Sequence, residues 1–240
     1  MEYPQKLKIG ERSYNVVYET ALKATSSVRI RNKNVVLRLS RFVRGKSRDE
    51  IVKKFLNWAG KKLSKISESD FVIPVYKDGG RVCTHNKTYE IRVDTENRKN
   101  AGSILRDGVI ELFIPECWGD VEKRKIIKLL VEKTIIKDQN LYLKEVVGEL
   151  NQLFFRESYN ICRFKRMNSR FGSCSSKRNI NIAYRLLFAP REVFRYVCVH
   201  ELAHLKEMNH SKKFWALVED AIPNFKECET WLRNNGFMLG

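Results

Sequence analysis

No apolar run in the 240-residue sequence approaches the length that a membrane-spanning helix needs, so we expect no membrane partner. The first residues lack the apolar stretch of a secretory signal, and we therefore expect a cytoplasmic protein. The six cysteines are scattered and none forms a C-x-x-C pair, which argues against a thiolate zinc site and against a disulfide framework. No internal repeat or low-complexity tract is evident, and histidine occurs only four times.

Acidic residues are scarce relative to basic ones. The chain has 46 lysines and arginines against 28 acidic residues, a formal net charge of +18. Hydrophobic residues make up 43% and charged residues 31%, which is typical of a folded soluble protein. Such a field attracts polyanions, so nucleic acid is a candidate partner, although a solvated basic surface explains the same composition. One segment, 163–178, has six basic residues and no acidic one.

The hydrophobic pattern changes near residue 118, so we expect a β-rich region over 1–118 and an α-rich region over 119–240. Short alternating stretches predict the strands of the first region, around one helix from about Arg48 to Lys65 that Ser47 caps. The second region is expected to contain two helices joined near Asp138–Asn140, a strand over 160–168, a loop over Ser169–Arg178, a strand over Asn179–Leu187, a helix from Pro190 to about Glu207, and a helix capped by Ser211 that runs to about Ala221.

Three of the four histidines lie within eleven residues, at His200, His204 and His210, and the first two form the motif H-E-x-x-H. Residues four apart share one face of a helix, so His200 and His204 can offer two imidazole nitrogens to one ion. A catalytic zinc takes three protein ligands and a water, whose pKa it lowers to about 7. Glu201 is placed to accept a proton from that water. The flanking residues are apolar, and in a buried helix a metal satisfies these polar groups better than a hydrogen-bond network.

The third ligand requires the chain to turn back after the motif. Asn209 tolerates the left-handed conformation that such a turn often uses, and it would place His210 just before the next helix. His210 follows His200 by ten residues, which is the spacing of the third ligand in metzincins. Metzincins have a glycine at the position of Glu207, so the sequence does not support a metzincin turn. A carboxylate such as Glu219, one helix further on, is the alternative third ligand.

The stretch RMNSRFGSCSSKRNINIAYRLLFAP, followed by VCVHELAHLKEMNHSKKFWALVEDAIPNFKE, closely resembles the YgjP-like metallopeptidase family. That family is related to the minigluzincins and to the Spartan and yeast DNA–protein crosslink proteases. The resemblance is dense from about Arg166 to Trp231 and diffuse before it. Phe171 stands where the family usually has tryptophan, an aromatic exchange.

This resemblance implies an α+β fold whose catalytic domain is zincin-like, with a mixed sheet and an active-site helix that carries H-E-x-x-H. It implies one zinc ion held by His200, His204 and His210, with Glu201 as the base. It also implies that the strand near Ile180–Tyr184 is the sheet edge above the metal, which an extended peptide joins by backbone pairing. The substrate-binding residues would then be Ile180, Asn181, Ile182, Ala183 and Tyr184. Candidates for stabilising the oxyanion, beside the metal, are Arg185 and Tyr196.

The function predicted from these features is zinc-dependent hydrolysis of peptide bonds in a peptide or an unfolded protein. Two alternatives follow from the basic charge. In the first, the chain is a nucleic-acid-associated protease of the crosslink-repair type. In the second, it is a DNA-binding protein with a structural zinc.

Overall fold

The computed structural model describes residues 3–31, 34–64, 76–167 and 169–239. It has the predicted α+β composition and divides into two compact units, Met1–Phe71 with Leu232–Gly240, and Val72–Trp231. The change of pattern near residue 118 falls inside the second unit, where strands give way to a long helix. None of the helices in the described ranges combines the length and the apolar character that crossing a lipid bilayer requires.

The first unit is a four-stranded sheet that packs against one helix. In the second strand Tyr14 and Val16 are buried and Ser13 and Asn15 are exposed, so the alternation in RSYNVVYETA produces one apolar face. The helix begins after Arg44, ahead of the predicted Ser47 cap, and its predicted end at Lys65 lies outside the described residues. The elements are β1 (Lys6–Ile9), β2 (Arg12–Ala21), β3 (Ser27–Arg31), β4 (Asn34–Ser40) and α1 (Gly45–Leu63), with sheet order β1-β2-β4-β3.

The second unit starts with another four-stranded sheet and continues into a three-stranded sheet and four helices, the last of which ends beyond Trp231. The first of these sheets has the order β5-β6-β8-β7 and the other has the order β10-β11-β9. The elements are β5 (Arg81–Cys83), β6 (Thr88–Glu96), β7 (Gly102–Arg106), β8 (Val109–Pro115), α2 (Asp120–Leu150), β9 (Ile161–Lys165), β10 (Gly172–Cys174), β11 (Asn179–Ala183), α3 (Arg191–Ala203), α4 (Lys212–Ala221) and α5 (Phe225–Asn235).

The two four-stranded sheets repeat one another at a constant separation of 75 residues. Lys6 pairs with Asn15 between β1 and β2, and Arg81 pairs with Glu90 between β5 and β6. The other strand pairs recur with the same offset and the same orientation. The expectation that the chain has no internal repeat is therefore wrong. The sequence conceals the repeat because only seven of the 58 aligned positions between 6–63 and 81–138 are identical.

Helix α2 is continuous where two helices joined near Asp138–Asn140 were predicted. The three polar residues that suggested a break each have a partner outside the helix. Asp138 Oδ2 accepts hydrogen bonds from Lys87 Nζ at 2.8 Å and from the Tyr89 hydroxyl. Gln139 Nε2 donates to the Tyr89 hydroxyl at 2.6 Å, and Asn140 Oδ1 accepts from the backbone N–H of Phe164 at 2.9 Å. Tertiary contacts therefore override the local helix-breaking signal.

Strand β11 ends at Ala183, four residues before the predicted end at Leu187, and residues 184–188 form a 3₁₀ turn. The strand also lies between β9 and β10, paired on both sides, so the expectation that it is the sheet edge is wrong. The edge that packs against α3 is the short strand β10.

Candidate metal centre

Helix α3 carries His200 and Glu201 of the H-E-x-x-H motif. It begins directly after Pro190, as predicted, and Val199 and Leu202 are fully buried on it. The helix ends at Ala203 rather than near Glu207, but His204 keeps right-handed helical angles of φ −65° and ψ −15°. His204 therefore remains one turn from His200, and the two ring centroids are 5.1 Å apart.

The chain after α3 turns through short-range hydrogen bonds. The N–H of Leu205 donates to the carbonyl of Leu202 at 2.9 Å, and the N–H of Ser211 donates to the carbonyl of Asn209 at 2.8 Å. Among the described residues, the non-glycine residues with positive φ are Asp107, Arg156 and Arg178, so the left-handed Asn209 that was expected is not observed. The next helix is capped as predicted, since Ser211 Oγ accepts from the N–H of Phe214 at 3.3 Å.

This turn brings His210 to the other two histidines. One potential ligand atom from each of the three residues lies within 4.8 Å of the others, and His210 Nε2 is 3.0 Å from His200 Nε2. Three nitrogens bound tetrahedrally to one zinc at about 2.0–2.1 Å lie about 3.3 Å apart. The cluster therefore has the dimensions of a site for one ion.

The surroundings orient the His204 ring and keep the His200 ring neutral. His204 Nδ1 is 3.1 Å from the carbonyl oxygen of Glu207, so an Nδ1–H that donates there leaves Nε2 as the ligand atom. Burial, and then the neighbouring His204 and His210, lower the pKa of His200 to about 3. The neutral ring is the form that binds a metal. The buried ring of Phe214 lies 4.9 Å from the His200 ring and 4.6 Å from the other two.

Glu201 lies on α3 next to the first histidine and is only 5% exposed. Burial raises the pKa of its carboxyl group to about 8, while the charge of Arg170 and a hydrogen bond from the N–H of Cys174 act in the opposite direction. A cation at the three imidazoles would favour the ionised carboxylate in the same way as Arg170 does. The N–H of Cys174 also fixes the direction in which the carboxylate points.

Strand β10 passes against this carboxylate. A Cβ atom at Gly172 would overlap Glu201 Oε1, so only glycine lets the strand approach this closely. The N–H of Ala183 donates to the carbonyl of Phe171 at 2.7 Å, and the N–H of Ser175 donates to the carbonyl of Asn179 at 3.1 Å. Because the direction of these bonds alternates along an antiparallel strand, Gly172 and Cys174 direct their N–H and C=O groups away from β11.

The residues predicted to bind substrate lie behind this edge. Ile180, Ile182 and Ala183 are fully buried. The side chain of Asn181 bonds within the sheet, where its Oδ1 accepts from Arg163 Nε at 3.1 Å. The hydroxyl of Tyr184 donates to the buried Glu132 Oε1 at 2.7 Å. Their side chains therefore support the small sheet and its surroundings.

The other residues considered from the sequence differ in their position relative to the histidine cluster. Glu219 is exposed and is not part of the histidine cluster. Tyr196 is buried, its ring centroid is 6.1 Å from that of His200, and burial raises its pKa to about 12. The guanidinium of Arg185 lies 4.3 Å from the ring centroid of Phe171, beside β10. The fourth histidine, His85, packs against Phe194 at 4.9 Å and is not part of the histidine cluster.

Sequence reasoning missed three contributors to the site: the carbonyl of Glu207, the ring of Phe214 and the backbone at Gly172. The carbonyl and the ring carry no recognisable sequence signal, because any residue has a carbonyl and Phe214 fits an ordinary apolar helix face. The glycine stands at the start of a short strand, where a close approach of another group is a common reason for glycine.

Comparison with known proteins adds a family match. The family model described as "YgjP-like, metallopeptidase domain" matches residues 24–235. Among curated proteins, UTP pyrophosphatase of Escherichia coli (strain K12) is 38% identical over 58 residues, which are 24% of this chain and 35% of that protein. The matched part thus spans about a third of the length of that relative.

Two solved structures are similar to part of this chain. The metallopeptidase zymogen abylysin of Pyrococcus abyssi has a TM-score of 0.35 and 24% identity, and the match covers 38% of this chain and 90% of that chain. The metallopeptidase zymogen jannalysin of Methanocaldococcus jannaschii has a TM-score of 0.34 and 24% identity, and the match covers 38% of this chain and 93% of that chain.

Proposed function

Because the chain belongs to the YgjP-like metallopeptidase family, we propose that it is a zinc metallopeptidase that hydrolyses peptide bonds. The observation that carries this proposal is the cluster of His200, His204 and His210, with the buried Glu201 next to His200 on helix α3. Three imidazoles suit one zinc ion per chain and leave a coordination position for water. In this proposal the zincin-like core is α3 with the small sheet that packs against it.

A zinc ion bound there would polarise the substrate carbonyl and make a water molecule more acidic. Glu201 accepts a proton from the attacking water and passes it to the leaving amine. Burial raises the pKa of this carboxyl group, which favours holding the proton between these two steps, and a bound cation would act in the opposite direction. The N–H of Cys174 keeps the carboxylate directed at the reaction rather than at solvent.

The substrate in this proposal is a peptide or an unfolded protein in an extended conformation. It pairs with the outward N–H and C=O groups of Gly172 and with the outward C=O of Cys174, because an edge strand offers unpaired backbone groups to an added strand. The N–H of Cys174 is not available to the substrate, since it is bonded to Glu201. This assignment moves the proposed substrate contact from β11 to β10. The residues of β11 then act indirectly, by fixing the strand that touches the substrate.

Metal removal tests the proposal. We expect purified protein to contain about one zinc per chain, as the three-imidazole site requires. Treatment with a chelator is expected to abolish cleavage of an unfolded protein such as reduced casein, and added zinc is expected to restore it. Metal content is measured by mass spectrometry and cleavage by gel electrophoresis. Full cleavage by the metal-free protein would contradict the proposal.

A second candidate function is hydrolysis of UTP to UMP and pyrophosphate. It is favoured by the 58-residue similarity to a UTP pyrophosphatase and by the cationic side chain of Arg170 near Glu201. Attack of water on a phosphoanhydride also gains from a bound metal and a general base. The same preparations are therefore assayed for pyrophosphate release from UTP. Zinc-dependent pyrophosphate release without peptide cleavage would favour this candidate over the peptidase.

Replacement of Gly172 in β10 tests the role of Glu201 as the base independently of zinc binding. Replacement Gly172→Ala is expected to displace the Glu201 carboxylate, because the added Cβ overlaps Oε1. We expect peptide cleavage to fall by about 100-fold, the cost of roughly 1 Å of misplacement. Zinc content should not change, because the three imidazoles are not displaced.

The matched control is Gly148→Ala on α2, where an added Cβ meets no atom within 4 Å. This variant is expected to cleave at the wild-type rate. Wild-type cleavage by Gly172→Ala would show that the close approach of β10 to Glu201 has no functional role.

A further inference from the structure

The structural repeat permits a comparison of charge within one chain. The first copy, residues 6–63, has 16 basic and 4 acidic residues, and the second copy, 81–138, has 12 basic and 10 acidic residues. The two copies have the same strand register, so fold alone does not require this difference. A net charge of +12 against +2 places most of the chain's excess positive charge on the first copy.

The second copy neutralises its cations in place. Arg81 pairs with Glu90 at 2.8 Å, and Arg92 pairs with Glu111 at 3.7 Å. At the positions of Glu90 and Glu111 the first copy has Asn15 and Val36. These two acidic partners are therefore absent from the first copy, in which Glu19 of β2 pairs with Arg38 of β4 at 3.7 Å.

Helix α1 concentrates this charge on one side. A shallow groove along its outer face is lined by Glu50, Lys53, Lys54, Asn57, Trp58 and Lys61. Trp58 is 42% exposed although it is a large aromatic residue. In the connection before the helix Phe42 is 62% exposed, and the guanidinium of Arg41 lies 4.8 Å from its ring centroid. We define the α1 surface as Lys53, Lys54, Trp58 and Lys61 of the groove, which Glu50 also lines, together with Arg41 and Phe42 of the connection before the helix.

We propose that the α1 surface binds a single strand of nucleic acid. The lysines and Arg41 are placed to contact phosphates, and the exposed rings of Trp58 and Phe42 are placed to stack on bases. Cationic side chains interleaved with exposed aromatic rings are what single-strand binding requires, because every base has a face on which a ring can stack. The same positions in the second copy hold Glu116, Cys117, Lys128, Leu129, Lys133 and Ile136, which include no aromatic residue, while Lys125 stands at the position of Glu50.

An anionic membrane fits the same surface less well. A helix that lies in a membrane interface buries a continuous apolar face. In the groove of α1, the ring of Trp58 is flanked by Asn57, Lys54 and Lys61. Among the six groove residues Trp58 is the single apolar one, so the groove itself has no apolar stripe that would enter a bilayer.

The test uses the full chain and a fluorescently labelled single-stranded oligonucleotide of about 20 nucleotides, with binding followed by anisotropy between about 50 and 200 mM salt. The triple variant Lys53→Glu, Lys54→Glu, Lys61→Glu is expected to bind at least about tenfold more weakly. Its salt slope should fall by about 2, since each lost phosphate contact on a single strand contributes about 0.7. The loss is expected at every oligonucleotide sequence.

The matched control is the triple variant Lys125→Glu, Lys133→Glu, Lys137→Glu, at exposed positions on α2 that change the net charge equally. It is expected to keep most of the affinity and the wild-type salt slope. Trp58→Ala is expected to lower affinity at least about fivefold, and Trp58→Phe to restore most of it, because stacking needs a ring. Circular dichroism and thermal unfolding establish that each variant is folded.

Three outcomes would overturn the proposal. Equal losses of oligonucleotide affinity in the two triple variants would show that binding depends on the overall positive charge of the chain rather than on the α1 surface. Binding to vesicles that contain phosphatidylserine, with none to the oligonucleotide, would identify a membrane partner. Absence of oligonucleotide binding at the lowest salt would exclude nucleic acid. None of these outcomes depends on whether the metal centre cleaves peptides or UTP.

Discussion

Replacement of Glu201 by glutamine is expected to reduce kcat for peptide cleavage by about 1,000-fold, within the range of general acid–base catalysis. Glutamine has nearly the same shape, and its amide oxygen can still accept from the N–H of Cys174. It cannot accept a proton from water near neutral pH. Because none of the three imidazoles changes, we expect the zinc content to remain about one per chain.

The measurement combines metal analysis with initial rates of casein cleavage for wild type and variant. Glu192→Gln, an exposed change of the same kind in the first turn of α3, is the control and should retain full activity. If Glu201→Gln cleaves at the wild-type rate, Glu201 is not the base. If the variant loses zinc as well as activity, the carboxylate has a structural role in the metal centre.

Replacement of His210 by alanine is expected to weaken zinc binding by more than about 100-fold, since even the loss of a residue that only supports a ligand costs 10–100-fold. Cleavage should fall with the zinc content. Zinc stabilises a protein that binds it only when folded, by about 2.7 kcal/mol at a free concentration of 100 times Kd. We therefore expect the zinc-dependent rise in melting temperature of the wild type to disappear in His210→Ala.

The control for this variant is Glu219→Gln, which removes the alternative third ligand. Glu219 is exposed and is not part of the histidine cluster, so zinc titration and thermal unfolding should give wild-type values. The opposite pattern, zinc retained in His210→Ala and lost in Glu219→Gln, would assign the third position to the carboxylate.

The geometry of the histidine cluster was largely predictable because it depends on short-range features. Four residues along a helix return the chain to the same face, so His200 and His204 are neighbours in any context that keeps the helix. Ser211 is a strong capping residue, and the helix that it caps begins where the sequence indicates. The turn that carries His210 is confined between these two helices, which leaves it few paths.

Predictions that depended on sheet position or on distant partners were less successful. The alternation in Asn179–Ala183 identifies a strand, but it does not indicate whether that strand lies at the edge of the sheet or between β9 and β10. Helix α2 continues through Asp138 because Lys87 and Tyr89, about 50 residues earlier, bind its carboxylate. A local pattern cannot register a partner at that separation.

The structural repeat is another feature that the sequence alone did not reveal. Tyr14 and Tyr89 occupy equivalent buried positions, and the registers of their strands agree throughout. Few other residues are shared, since a sheet face requires apolar character and suitable size more than identity. The equivalence of the two copies became visible only from the pairing of their strands.

The sequence by itself determined the α+β composition, the spacing of the three histidines and the acidic residue beside the first of them, because these follow from helical periodicity and residue chemistry over a few turns. Tertiary structure alone decided that β10 forms the edge at Glu201, that Gly172 must be small there, and that Phe214 contacts all three imidazoles. Those features depend on which distant segments meet, and that is settled by burial of apolar surface over the whole chain rather than by any local pattern.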